Sequence, residues 1–321
     1  MQKPPFTITP NVLNASMRIM QLLGKLDGLR MSQPEVSLRK SNRIQTIHAS
    51  LAIEGNTLSI DQVTDLMNGI SVLGSEQDII EVKNAIAVYN RILDFNYASK
   101  TDFKKAHKML MKGLKADAGS FRTTNVGVYA GVRVAHVAPQ PKRVEKLMDD
   151  LFCFLRQKDD ISLLIKSCVF HYELEFIHPF SDGNGRMGRL WQHLVLSNFH
   201  EVFRYVAIES LIKERQKDYY VTLAHCDAKG DSTDFIEFCL QLVEEVLYSY
   251  SQNITYHPKT SVDRLEIAKE RFTEMFSRKE YIGLFKNIST ATASRDLKLG
   301  VEKSILMKMG DKRMAMYRFK E

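Results

Sequence analysis

The sequence predicts a mainly α protein built in two parts, and three observations predict it. Apolar residues recur at i, i+3 and i+4 through most of the chain from Asn11 to about Tyr250, the repeat of helices that each bury one face. A polar stretch holding Pro258, SQNITYHPKT over 251–260, then breaks the pattern, as a linker does. Beyond it the charge changes. From Lys259 onward fifteen Lys/Arg stand against nine Asp/Glu, so +6 of the chain's net +7 falls in its last fifth, and such asymmetry marks parts with different work. The divisions that follow are an N-terminal helical extension over 1–40, a core over 41–255 and a basic domain over 256–321.

Length and composition narrow the class. The 321 residues suit roughly two domains on a prior of ~100–200 residues each. A hydrophobic fraction of 44% is ample for a packed core. No apolar run approaches the ~18–20 residues that a membrane span needs, so no membrane partner is expected. The opening MQKPPFTITP lacks an apolar segment with a cleavage signature, so no secretory leader is expected. Cys153, Cys168, Cys226 and Cys239 are scattered without CxxC spacing. They read as reduced thiols of a cytoplasmic protein, not as a metal cluster.

Helical periodicity covers 61–73, 79–95, 101–115, 143–156, 161–176 and 234–250. The exception is VGVYAGVRVAHVAP (126–139), which alternates, is rich in valine and has Ala130-Gly131 at its middle. It reads as a small β-hairpin closed off by Pro139 and Pro141, and its edges could accept an extended peptide. After the linker, 261–276 and 278–286 read as helices. Ser289 and Thr290 are candidate N-caps for a third helix, ATASRDLKL, ended by Gly300. SILMKMGDKRMAMYRF then reads as two strands around a basic Gly-Asp-Lys-Arg turn. Three helices and a hairpin, all basic, have the layout of a winged helix-turn-helix. The helix holding Thr292, Ser294 and Arg295 would be its DNA-reading element.

The richest chemistry lies in IHPFSDGNGRMGRL, residues 177–190. Gly183-Asn184-Gly185 can expose successive backbone N–H groups, since glycine imposes no Cβ restriction. RMGRLWQHLVL after it is helical, so the turn sits at a helix N-terminus, where unpaired N–H groups and the helix dipole make an anion site. Arg186 and Arg189 are three apart and would project to the same side. Two guanidiniums over such a nest suit a polyphosphate. Asp182 would repel that anion unless a Mg²⁺ ion lay between them, bound by the carboxylate and phosphate oxygens. His178 could take a proton from a hydroxyl attacking phosphorus. Pro179 fixes the backbone after it, and Phe180 anchors the loop in the core.

HPFSDGNGRMGR resembles the Fic family motif HxFx[DE]GNGRxxR, and every defined position from His178 to Arg189 matches. The resemblance implies a Fic-type helical core with a β-hairpin flap, and a protein adenylyltransferase that moves AMP from ATP to a Ser, Thr or Tyr hydroxyl. It implies His178 as the base, Asp182 for Mg²⁺, the Gly183–Gly185 backbone as the anion hole, and Arg186 and Arg189 on the β- and γ-phosphates. The hairpin follows FRTTNV as the family's flap follows a similar Arg-Thr segment; there the flap pairs with the target peptide, which places target docking at 126–137. KDYYVTLAHCDAKGD resembles the family's second ligand segment, with Tyr219 or Tyr220 flanking adenine. Many members carry a C-terminal winged helix.

SLAIEGNTLS (50–59) is the second informative stretch. Ser50 and Glu54 are i and i+4 on a helix, within about 44–56, that Gly55 ends. Glu54 stands among Leu51, Ala52, Ile53 and Leu58, and a partly buried acid needs a partner. The motif resembles the family's inhibitory [ST]xxxE[GN], lying N-terminal to the core as in class II. The resemblance implies that Glu54 pairs with Arg189 and brakes the enzyme, or that it positions water for removal of AMP from a target. Three other readings stand beside AMP transfer: transfer of another phosphate-containing group, hydrolytic de-AMPylation, and a nucleotide-sensing DNA-binding regulator. Self-modification and a homodimer are further expectations. No GxxxxGK[ST] loop and no DFG/HRD set point to a P-loop enzyme or a kinase.

Overall fold

The computed structural model describes residues 3–28, 36–130, 133–253, 260–285, 288–310 and 315–320. The chain forms two compact units, Met1–Ile254 and Thr255–Glu321. The expected linker lies almost wholly outside the described residues.

The first unit is helical. Its helices are α1 (Pro10–Gly28), α2 (Val36–Ile53), α3 (Ile60–Met67), α4 (Glu76–Asn90), α5 (Lys100–Leu110), α6 (Pro141–Arg156), α7 (Leu163–Ile177), α8 (Asn184–Phe199), α9 (Ile208–Glu214), α10 (Gln216–Lys229) and α11 (Thr233–Asn253). Many start where a serine hydroxyl accepts a first-turn N–H: Ser59, Ser75, Ser99 and Ser162 do this for α3, α4, α5 and α7. Pro141 opens α6 at a position where its missing N–H costs nothing. α3 is shorter than the periodicity over 61–73 suggests, because Gly69 at φ +79° turns the chain out of the helix after Asn68. None of the described helices is long and apolar enough to cross a membrane.

α7 and α8 pack against each other at the centre of this unit. α7 is buried on nearly every side from Leu164 to Tyr172, with Lys166, Ser167 and His171 included, so it is not amphipathic. Beside the pair, the rings of Phe103, Phe152, Phe170, Phe180 and Trp191 meet edge-on or stacked at centroid distances of 5.0–6.3 Å. The expected hairpin is two antiparallel strands, β1 (Gly127–Ala130) and β2 (Arg133–Val137), with an irregularity between Val128 and Tyr129. Its turn at 131–132 lies outside the described residues.

The second unit runs α12 (Ser261–Arg271), β3 (Phe276–Ser277), α13 (Arg278–Leu284), α14 (Thr290–Glu302), β4 (Leu306–Met309) and β5 (Met316–Phe319), with sheet order β3-β5-β4. Two expectations change. The helix expected over 261–276 stops at Arg271, since Phe272 is extended, stacks on Phe276 at 4.3 Å and leaves Phe276 to pair with Tyr317 as a strand. Gly300 does not end its helix: α14 continues through it. A Cβ there would stand 2.7 Å from Leu306 Cδ1, so this glycine permits close packing of helix on strand. The basic turn at 311–313 is outside the described residues.

Candidate active site

The loop between α7 and α8 is built to hold one shape. α7 ends on His178, which adopts the left-handed conformation at φ 49° and ψ 59°. A residue with a Cβ seldom goes there unprompted, and several contacts hold the loop around it. Phe180 is fully buried and stacks face to face on His107 at 3.5 Å. Asn184 closes the loop on itself: its Oδ1 accepts from Phe180 N–H and its Nδ2 donates to Phe180 O, both at 2.9 Å. Arg122, 4% exposed, donates to four carbonyl groups, those of Ile177, His178, Thr124 and Pro139. Its own N–H donates to Pro179 O at 2.9 Å. It thus ties the loop to the segments on either side of the hairpin.

His107 supports the loop from α5. Gly119 N–H donates to its Nδ1 at 2.8 Å, so the ring proton sits on Nε2 and is given to Asp182 O at 3.0 Å. Burial holds this imidazole down to about 4, so it stays neutral in that role. The same logic applies to His178. Its Nδ1 lies 3.4 Å from the Glu175 carbonyl, which can only accept; the proton belongs on Nδ1, and Nε2 is the basic nitrogen.

Gly183 caps α8 in the left-handed region at φ 82°, and a Cβ there would stand 2.8 Å from Met111 Sδ. Asn184, Gly185 and Arg186 form the first turn, whose N–H groups have no acceptor within the helix. Asp182 lies at the mouth, where its Oδ1 accepts from Gly183 N–H at 2.6 Å and from Arg186 Nη2 at 2.9 Å. Lys115 Nζ is 3.5 Å from Oδ2. Among the described residues no group of three or more His, Cys, Asp or Glu side chains could hold a metal. One carboxylate at the edge of an anion nest instead suits a Mg²⁺ ion that takes its other ligands from phosphates and water.

The two arginines, expected on one side, are gripped by different partners. Arg186 is forked between Asp182 and Glu81, with Nη1 3.1 Å from Glu81 Oε1. Arg189 reaches the end of α2: its Nε donates to Ser50 Oγ at 3.1 Å, and its Nη2 to Ser50 O at 3.0 Å and Glu54 Oε1 at 2.6 Å. Ser50 and Glu54 therefore both meet Arg189. Burial opposes the guanidinium's charge, but Glu54, Tyr219 and Glu175 more than offset it, and the pKa of Arg189 is raised. Arg189 Nη1 has no hydrogen-bond partner among the described residues. The Glu54 carboxylate also lies against the nest, because a Cβ on Gly185 would stand 2.4 Å from Glu54 Oε1.

Tyr219 and Tyr220 part company. Tyr219 is 1% exposed and turns inward, with its Oη 3.0 Å from His171 Nε2 and 3.4 Å from Glu175 Oε1. Tyr220 is 44% exposed. Gln216, one turn earlier on α10, donates to Ile53 O at 2.9 Å and so ties α10 to the end of α2. His171 Nδ1 is 2.7 Å from Gln192 Oε1 and so carries a proton, which leaves Nε2 to accept from Tyr219. The Tyr219 hydroxyl also lies within reach to donate to Glu175 Oε1 at 3.4 Å. Burial pushes Glu175 up to about 7, with Glu54 adding to the rise.

Sequence reasoning missed Arg122, His107, Glu81 and Glu175. Each is a single residue outside the dense motif. Only Arg122, inside FRTTNV, carried a trace of a signal.

These features agree with the comparisons. A model of the Fic/DOC family matches residues 97–196. A Fic family protein from Desulfovibrio desulfuricans of known structure superposes with a TM-score of 0.75 at 35% identity, covering 99% of this chain and 98% of that one. The protein adenylyltransferase Fic of Nematostella vectensis is 30% identical over 257 residues, 74% of this chain and 57% of the relative. The protein adenylyltransferase fic-1 of Caenorhabditis elegans is 28% identical over 217 residues, 64% of this chain and 40% of that protein. The chain thus spans about half the length of the curated relatives it matches.

Proposed function

The chain belongs to the Fic family, and from that premise we propose that it is a protein adenylyltransferase that uses ATP and is held inactive by Glu54. The observation that carries this reading is the 2.6 Å contact between Glu54 and Arg189 against the Gly185 nest: an anion site complete in its parts, with an internal carboxylate in it.

In the reaction His178 Nε2 takes the proton of a target hydroxyl, Nδ1–H being anchored on the Glu175 carbonyl. The hydroxyl oxygen attacks the α-phosphorus, the bond to the bridging oxygen of the β-phosphate breaks, and pyrophosphate leaves. The first-turn N–H groups of α8 and the Arg189 guanidinium stabilise the charge on the phosphates. Asp182, with Arg186 and Lys115 fixing its oxygens, would hold Mg²⁺, which when bound supplies neutralisation of the phosphate oxygens. Glu54 works against this by pairing with the arginine that the γ-phosphate needs. Tyr220, the exposed member of its pair, would flank adenine. The β1–β2 hairpin, tied to the loop through Arg122, offers a strand edge to the target. The molecule itself can be that target.

Labelling with ATP carrying radioactive α-phosphate tests this. Glu54→Gly protein should label itself or a protein in cell lysate far more strongly than wild type, and Glu54→Gly/His178→Ala should not. A folded Glu54→Gly that transfers no label rules the reading out. A second reading rests on the Glu54 side chain being 31% exposed: reaching solvent, it can hold a water for removal of AMP. Release of AMP from a labelled protein by wild type, lost in Glu54→Gly, would support it.

We read the second unit as a winged helix-turn-helix. α14 buries Ala293, Asp296, Leu297 and Gly300 and leaves Thr290, Arg295 and Lys298 outward, which suits a helix presented to phosphates. Salt-dependent retention of the full chain on duplex DNA, reduced by Arg295→Ala, tests DNA binding.

A further inference from the structure

Arg186, on the first turn of α8, has its guanidinium divided between two carboxylates. Nη2 donates to Asp182 Oδ1 at 2.9 Å, and Nη1 lies 3.1 Å from Oε1 of Glu81 on α4. Arginine commonly meets a single carboxylate with two parallel bonds, so the division turns on what holds Glu81. Glu81 is 7% exposed. Gln77, one turn earlier, donates to its Oε1 at 3.3 Å, and Asn56 Nδ2 donates to its Oε2 at 2.9 Å. Asn56 comes two residues after Glu54, and its segment is pinned to the start of α4. Its Nδ2 also donates to Asp78 O at 3.2 Å, and Thr57 N–H donates to Asp78 Oδ2 at 3.2 Å. Gln77, Glu81, Lys115 and Asp182 line one cleft of about 420 Å³. The proposed adenylylation chemistry uses Asp182 there and gives Glu81 no part.

We propose that Glu81 is a positioning residue that keeps one arm of Arg186 off Asp182, and that Asn56 holds Glu81 to this task. Gripped by both arms, Asp182 would have both its oxygens committed to a guanidinium. Gripped by one, at Oδ1, it keeps Oδ2 for a cation. Lys115 beside Oδ2 is 44% exposed at its side chain and is free to move aside. A Mg²⁺ ion that takes one carboxylate and completes its shell with phosphates and water needs such an oxygen. Glu81 also balances the buried charge of Arg186, which would otherwise fall to Asp182 alone. Asn56 adds a link to the brake. Both motif arginines are set from the segment that carries Glu54: Arg189 directly, through Ser50 and Glu54, and Arg186 through Asn56 and Glu81. The bonds of Asn56 run to α4 and not to the Glu54 side chain, so Glu54 can swing away while Arg186 stays in place.

The proposal rests on the nucleotide reading above, and two measurements keep them apart. The first needs no nucleotide. In crystals of Glu54→Gly/Glu81→Ala, both arms of Arg186 should lie on Asp182. The second is calorimetry of ATP binding to Glu54→Gly with Mg²⁺ and with EDTA. The gain in affinity that Mg²⁺ brings should fall about tenfold in Glu54→Gly/Glu81→Ala, the scale of one hydrogen bond to a charged group, while affinity without metal stays within about twofold. Glu81→Gln, which keeps an acceptor for Nη1, should recover most of the gain. An Arg186 that has not moved onto Asp182 in a folded Ala variant overturns the proposal. So does an unchanged gain, or an equal loss with and without Mg²⁺. If Glu81→Ala does not fold, Asn56→Ala replaces it, with Arg186 shifted toward Asp182 and the gain lowered about threefold; an Arg186 and a gain both unchanged there overturn the proposal equally. Absence of ATP binding in Glu54→Gly with Glu81 intact counts against the nucleotide reading, and the crystal structure then decides the proposal alone.

Discussion

The catalytic loop and the end of α2 meet at Arg189, yet they are held in opposite ways. The loop is closed on itself by Asn184 and tied to the protein body by Arg122 and His107, each buried and each bonded to backbone. Glu54 touches the site through one side-chain contact beyond the last turn of a helix, and nearly a third of its side chain is exposed. On the proposed reading the chemistry is preformed, and the element that opposes it hangs on a single side-chain contact. Reactive geometry can then stay fixed while activity is set elsewhere.

The largest effect that should separate the two regions is on stability. Arg122→Ala leaves four carbonyl groups without a donor and should cost roughly 3 kcal/mol or more, measurable by urea denaturation. Activity in a Glu54→Gly background should fall with it, because the His178 carbonyl is among those released. His178→Ala in the same background should lower transfer by at least about a hundredfold, the usual contribution of a general base, with its melting temperature little changed. Equal losses of stability in both variants would break the distinction between a scaffold and a reacting group.

Glu54→Gly should itself destabilise the protein, by about 2 kcal/mol, because a buried guanidinium loses a partner. Added ATP should then raise its melting temperature more than that of wild type. An equal ATP response in the two proteins would mean that Glu54 and phosphate do not share Arg189.

The smallest effect is on pH. Burial raises Glu175 from an ordinary 4.5 to about 7. Between those values the folded protein keeps a proton that the unfolded chain has lost, so stability declines as pH rises across that window and levels off above it. Glu175→Gln should remove part of the decline and be the more stable protein at pH 8, by about 1–2 kcal/mol, but not at pH 4. Denaturant midpoints of both proteins at the two pH values check this. His171, held down to about 3 by burial, contributes the reverse trend below its ordinary 6.5 and is shared by both proteins, so it cancels.

The helices and the reacting loop were legible because their signals are local. Apolar spacing announces α6 and α11, and twelve consecutive positions hold nearly every group of the loop. Ser50 and Glu54 were legible from one short motif beside a helix-ending glycine. The supports were not legible. His107 and Glu81 reach the site from helices distant in sequence, and each is a lone polar residue whose neighbours say nothing of where it will point. Phe276 was read as helical because its partner Tyr317 lies 41 residues on, beyond any local window. Gly300 was read as a stop because a glycine that admits a neighbour looks, in sequence, like one that ends a helix.

The void over Gly185 has one more consequence. The missing methyl that would let a phosphate approach the nest also lets Glu54 approach it, so on the proposed reading ligand and carboxylate contend for one space. Glu54 is a tethered competitor, and its local concentration is set by where α2 holds it. More nucleotide still displaces such a competitor, but the amount needed rises as the fraction of molecules free of the Glu54–Arg189 pair falls. On the proposed reading, an equilibrium of this kind is tipped by anything that shifts α2, and a shift that weakens the Glu54 contact lowers the amount of substrate needed to fill the site.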